Sequence, residues 1–108
     1  MKNKFIIIKT TYPKLSEAKK IAKILLEKKF AACVQLQKIE SMFFWQNKLT
    51  QSKEILVTIK TKANFYQKIE KEILANHSYQ IPEIIAISID KILPKYQKWL
   101  ENETAKKI

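Results

Sequence analysis

The sequence predicts a single α+β domain in which strand, helix, strand, strand, helix and strand follow one another, with a further helix at the end. Three observations carry this. Phe30 to Lys62 reads as one overlong β-hairpin, Phe5 to Lys9 is an unbroken apolar run, and two stretches repeat apolar residues at three- and four-residue spacing.

In the first strand, Phe5 to Lys9 is bounded by Thr10-Thr11-Tyr12-Pro13. Continuous apolarity there predicts burial on both faces. Ser16 is the expected N-cap of the first helix, in which Ala18, Ile21, Ala22 and Leu25 share a stripe and Lys19, Lys20, Lys23 and Glu27 face water. Lys28-Lys29 closes it, where cations suit the helix dipole.

The hairpin runs out over Ala32 to Trp45, turns at Gln46-Asn47-Lys48 and returns over Glu54 to Lys60. On the return arm Ile55, Val57 and Ile59 alternate with Glu54, Thr58 and Lys60, and Leu56 departs from the pattern. On the outgoing arm Val34 and Leu36 alternate with Gln35 and Gln37 until the phase slips at Lys38-Ile39, which predicts a bulge. An ordinary strand has about 5–6 residues, and this arm is more than twice that. It carries Phe43, Phe44 and Trp45 beyond any small sheet, so another copy of the chain is expected to cover them.

Ala63 to Asn76 is the second helix, with Phe65, Ile69 and Ile73 inward and Gln67, Lys68, Lys71 and Glu72 outward. A loop from His77 to Pro82 follows, with Ile81 held extended by the proline. Glu83 leads into the last central strand, Ile84 to Ile89. Pro94 starts a short helix with Tyr96, Trp99 and Leu100 on one face, and the polar tail from Glu101 is expected to fray. This order is the split βαβ, or ferredoxin-like, arrangement. Right-handed crossovers place both main helices on one face, so the other is bare in a monomer. The fold alone assigns no chemistry.

Residues 1–108 leave room for one domain and one core. The net charge of +11 comes entirely from lysines dispersed over every segment, with no arginine for bidentate contacts. That composition predicts a solvated surface and no nucleic-acid partner. The apolar run after Lys4 is too short for a signal-peptide core, and no run is long enough to span a membrane. With Cys33 as the single cysteine, the expected compartment is the cytoplasm.

Taken together, Ala31-Ala32-Cys33-Val34, Ser41 and Trp45, Glu54, Lys60-Thr61, His77-x-Tyr79-x-x-Pro82-Glu83 and Tyr96-x-x-Trp99 resemble the CutA family of divalent-cation tolerance proteins, from about Thr10 to Trp99. The resemblance implies a ferredoxin-like subunit in a homotrimer whose long hairpins continue each other's sheets around a threefold axis. It implies divalent-metal tolerance, copper above all, through weak metal binding that folding does not require. Animal relatives are linked to anchoring of acetylcholinesterase; without their N-terminal extension, only the bacterial reading carries over. Asn47 stands where the family usually has Gly, Phe43 where Tyr is common, and Ser78 where Pro follows the histidine. Thr10 and Asn76 occupy positions where some bacterial members have Cys and His, which removes two candidate ligands.

His77, Cys33 and Glu83 are the remaining candidates for a metal, Cu²⁺ or another divalent cation. Against this, His77 can cap the second helix or bond a backbone carbonyl, and Cys33 can be a small buried hydrophobe. Trp45, Lys60, Tyr79, Glu83 and Trp99 are candidates for a cleft between subunits, or else for interface bridges and packing anchors. No Ser-His-Asp order, HExxH, CxxC, P-loop or dinucleotide fingerprint occurs, and an enzyme is not expected. An RNA-binding module would need aromatic residues where the return strand has Ile55, Val57 and Ile59. An acylphosphatase-type enzyme would need an arginine, and the chain has none. The alternative to a metal protein is a non-enzymatic trimeric scaffold that binds a small regulatory ligand or a protein in its intersubunit clefts.

Overall fold

The computed structural model describes residues 4–104. In chain order it comprises β1 (Phe5–Tyr12), α1 (Leu15–Glu27), β2 (Cys33–Trp45), β3 (Lys48–Lys62), a 3₁₀ turn (Ala63–Phe65), α2 (Tyr66–Ala75), β4 (Ile85–Ser88) and α3 (Pro94–Glu103). The strands form one antiparallel sheet in the order β2-β3-β1-β4. This is the ferredoxin-like arrangement that the sequence predicts, with β4 at an edge and not central.

Residues directly opposite across a ladder share a face. Val34 and Leu36 of β2 therefore lie with Ile59 and Val57 of β3, and these with Ile8 and Thr10 of β1. That face takes the apolar stripes of both helices, Ala18, Ile21 and Leu25 from α1 and Ile69 and Ile73 from α2, to form the main core. The opposite face is covered at one end by α3, where Leu100 packs on Phe5 and Ala32. Thr104 is buried and its hydroxyl donates to the carbonyl of Leu100 at 3.1 Å, so the tail expected to fray from Glu101 is helical through Glu103 and anchored at Thr104, and its remainder lies outside the described residues.

The hairpin pairs without interruption from Cys33↔Lys60 to Trp45↔Lys48, so the expected bulge at Lys38-Ile39 is absent. The phase changes for another reason. Beyond Leu36 the face that met the helices runs out into solvent, and the half-buried positions become Ile39 and Ser41 on the other face. A change of cover imitates an inserted residue in the sequence. At the tip, Gln46 and Asn47 both have positive φ (51° and 66°), the two-residue turn whose twist suits a hairpin. Asn47 thus takes the left-handed conformation that glycine usually supplies.

Two helix ends also depart from expectation. Lys14, not Ser16, is the N-cap of α1, and no side chain bonds there. At the other end Lys29 turns left-handed (φ 63°), while the Phe30 amide donates to Leu25 and the Lys29 amide to Leu26, both at 3.0 Å. This pair of bonds is a Schellman motif built on lysine in a chain without glycine. β1 is longer than its apolar run because Thr10, Thr11 and Tyr12, all buried, continue the ladder against β3. Its burial is one-sided in the middle: Ile8 is enclosed, whereas Ile7 and Lys9 on the second face are only half-buried.

Candidate functional site

The segment after α2 folds back along the hairpin and is held there by its own polar groups. Asn76 ends α2, its side-chain amide donating to the Glu72 carbonyl at 2.9 Å. Asn76, and not His77, is therefore the residue that closes this helix. His77 Nε2 lies 2.7 Å from the Thr11 carbonyl, and the Tyr79 amide donates to Nδ1 at 3.1 Å. Since an amide donates to Nδ1, the ring proton belongs on Nε2, where it meets the carbonyl; both nitrogens of a neutral imidazole are in use. The ring stacks on Tyr12 with centroids 4.1 Å apart. Burial lowers the His77 pKa from its ordinary value, against the raising effect of the Thr11 bond and of the Glu17 and Glu54 charges.

Two residues on, the Tyr79 hydroxyl donates to Glu54 Oε2 at 2.6 Å. Burial, the bond to Glu54 and that carboxylate's charge hold the phenol well above the ordinary tyrosine range. Glu54 sits on the face of β3 turned away from α1 and α2, opposite Ile39, and is only 7% exposed. The sole ion pair among the described residues joins Lys28 to Glu72, so the Glu54 carboxylate has a phenol for a partner and no described cation.

Between this segment and the outer hairpin lies an open groove of about 700 Å³. The rings of Phe43, Trp45 and Tyr79 contribute to its lining, together with the hydroxyls of Ser41 and Ser52 and the carboxylates of Glu54 and Glu83. Such a wall suits binding by stacking, hydrogen bonds and charge. The one imidazole of the chain, bonded at both nitrogens, is not part of this lining.

Of the residues expected to line a cleft, Trp45, Tyr79 and Glu83 meet in this groove. Lys60 and Trp99 do not join them within one chain: Lys60 Nζ lies 5.8 Å from the Tyr96 ring centroid, and Trp99 packs beside the same ring at 5.4 Å. Glu54 and Phe43 belong to the groove although neither was singled out for it. The available signal was the alternation of β3, which puts Glu54 on the face opposite Ile55 and Val57.

The expected metal ligands are not brought together. No group of three or more His, Cys, Asp or Glu side chains that would hold a metal occurs among the described residues. Cys33 is free, half-buried rather than enclosed, and opposite Lys60, which lies about 13 Å along β3 from Leu56, the partner of Thr11. His77 offers no lone pair while Tyr79 donates to it, and Glu83 alone makes no site. Thr10, in place of a possible cysteine ligand, is buried in the core face. The residues present therefore do not fit a preformed copper centre within one subunit.

The sequence pattern of the CutA1 divalent ion tolerance proteins matches residues 6–103. The chain belongs to this family. A divalent-cation tolerance protein CutA from Pyrococcus horikoshii is 34% identical over 101 residues, covering 94% of this chain and 99% of the relative. The crystal structure of CutA1 from the psychrotrophic bacterium Shewanella sp. SIB1 superposes with a TM-score of 0.93 at 36% identity, covering 98% of this chain and 100% of that one. CutA from Archaeoglobus fulgidus, described as periplasmic, has a TM-score of 0.89 at 38% identity, covering 92% and 97%. The CutA resemblance read from about Thr10 to Trp99 thus holds over nearly the whole chain, and so does the fold. Among the described residues no helix is long and apolar enough to cross a membrane.

Proposed function

We propose that this CutA protein serves divalent-cation tolerance, copper included, as a cytoplasmic homotrimer that is not an enzyme and meets metal ions only weakly. The family supports the role. The observation that carries the mode is the His77 imidazole, bonded at both nitrogens. A metal taking Nδ1 must displace the Tyr79 amide, and a metal taking Nε2 must displace the Thr11 carbonyl, so either contact exchanges one stabilising bond for another. Titration calorimetry with Cu²⁺, with Zn²⁺ for comparison, tests this on the wild type and His77→Ala. Weak binding that the substitution leaves unchanged is expected; tight, saturable binding at one fixed stoichiometry, lost in the variant, would overturn it.

The trimer is supported by the outer hairpin and the two free sheet edges. Met42, Phe44 and Leu49 are more than 60% exposed, and β2 and β4 each present an unpaired edge. Rings and edges of this size on one small chain favour cover by further copies. Light scattering at micromolar concentration should give three times the chain mass. Cell fractionation tests the compartment; the free Cys33 requires no oxidising one.

A second reading is favoured by the groove itself. Its aromatic and carboxylate lining suits a non-catalytic protein that holds a small ligand and signals or buffers it. A metal-independent shift of Trp45 fluorescence on adding small metabolites would favour this reading over metal handling.

A further inference from the structure

We infer that the helix side of the domain, at the end away from the hairpin tip, binds a short oligophosphate through Lys28, Lys62 and Lys68, which gather over the rings of Phe30 and Phe65. The inference goes beyond both readings above and uses no residue of the groove.

The lysines are dispersed along the sequence, but the fold brings these three together. Phe30 and Phe65 lie side by side with ring centroids 5.7 Å apart, Phe65 within the main core and Phe30 packed against it. Lys68 Nζ sits over both rings, 5.6 Å from the centroid of Phe30 and 5.5 Å from that of Phe65. Lys62 Nζ is 5.9 Å from Phe65, and Lys28 Nζ is 5.9 Å from Phe30. Apart from Lys60 over Tyr96, every cation–ring contact among the described residues is made at this pair. A ring face draws an ammonium, and a ring fixed in the core holds it in one place. The charges are therefore arranged before a ligand arrives, which lowers the cost of ordering them on binding.

None of the five residues belongs to the hairpin tip or to an edge strand. Lys62 closes the inner strand β3, at the far end of its 15 residues from the turn, and the others lie on α2 or on the links that join helix to strand. Glu72 answers Lys28 with an ion pair, while Lys62 and Lys68 share one ring. Assembly does not remove the excess, because every further copy of the chain brings its own net charge of +11. A ligand that relieves this repulsion carries several negative charges a few ångströms apart. Lysine serves phosphoryl oxygens as a compact point charge, without the planar fork by which arginine selects a single carboxylate or phosphate. Three ammoniums over two rings match a few phosphates, whereas a polynucleotide would need a longer basic stripe.

The test uses the full chain in its native assembly at about 0.15 M salt. Inorganic tripolyphosphate and adenosine triphosphate are each titrated by calorimetry, and the backbone amide shifts of Phe65 and Lys68 locate the probe. Saturable binding is expected, weakened at least tenfold in Lys62→Gln/Lys68→Gln. The control, Lys19→Gln/Lys23→Gln, removes the same charge from the exposed side of α1 and should change affinity less than twofold. Thermal midpoints and light scattering establish that both variants keep the fold and the assembly. With the site so located, equal affinity for the two probes makes the phosphate chain itself the ligand, and tighter binding of the nucleotide makes its source a nucleotide. Equal weakening in the two double variants, or no saturable binding of either probe, overturns the inference.

Discussion

The Tyr79 hydroxyl donates to Glu54 across 25 residues of sequence, tying the segment after α2 to the base of the outer hairpin. That bond fastens one side of the groove to the other. Tyr79→Phe should lower stability by about 1–3 kcal/mol, since it strips a hydrogen bond from a buried charged acceptor. Urea unfolding at fixed chain concentration measures it, and an unchanged midpoint would show that the bond contributes nothing.

The pH dependence below neutrality should come from His77. Its folded pKa lies below the ordinary value of 6.5, so the unfolded chain takes up the proton first. The associated stability is complete above 6.5 and is lost as the pH falls from there through the folded value. His77→Gln should flatten the stability profile in that window. A profile identical to wild type would refute the assignment. At the alkaline end the sign reverses: Tyr12 and Tyr79 are both raised above 10.0, so stability should decline as the pH climbs past 10.0 and the unfolded phenols ionise.

Lys29 holds a left-handed backbone conformation at the end of α1. The conformation costs a non-glycine residue about 1–2 kcal/mol, of which glycine's extra freedom in the unfolded chain takes back a part. Lys29→Gly should therefore stabilise the protein by about 0.5–1 kcal/mol, read from the thermal midpoint. Lys29→Val, β-branched and less tolerant of this region, should lower it.

Phe44 is 73% exposed near the hairpin tip. If copies of the chain cover that tip, Phe44→Asp should shift the mass by light scattering toward smaller species at micromolar concentration. The far-ultraviolet circular dichroism of the remaining subunit should keep its α+β character, because the main core lies on the helices and not at the tip.

The core and the order of the elements were legible because they depend on local periodicity. Ile55, Val57 and Ile59 alternate, and Ile21, Leu25, Ile69 and Ile73 recur at helical spacing, and all are buried. The bulge was misread because a strand that passes from under a helix layer changes its covered face without changing its backbone. The site was legible only in part. Within one chain Trp45, Tyr79 and Glu83 share a groove, whereas Lys60 and Trp99 lie with Tyr96 at another part of the sheet. Nothing local marks Glu54 as a buried charge or His77 as a ring bonded at both nitrogens; those depend on contacts 25 and 66 residues away in sequence.

The 13-residue β2 edge, open along its length and ending in Phe43-Phe44-Trp45, also bears on the life of a newly made chain. An open edge ending in three rings is a template for any other extended segment until a proper neighbour arrives. Lys38 beside that edge and Lys48 at the turn place charge where wrong pairings would form. The hazard still scales with the time a chain spends alone. Dilute synthesis would prolong that interval and overproduction would crowd incomplete chains together, so yield of native protein should depend on the rate of synthesis as much as on the stability of the finished fold.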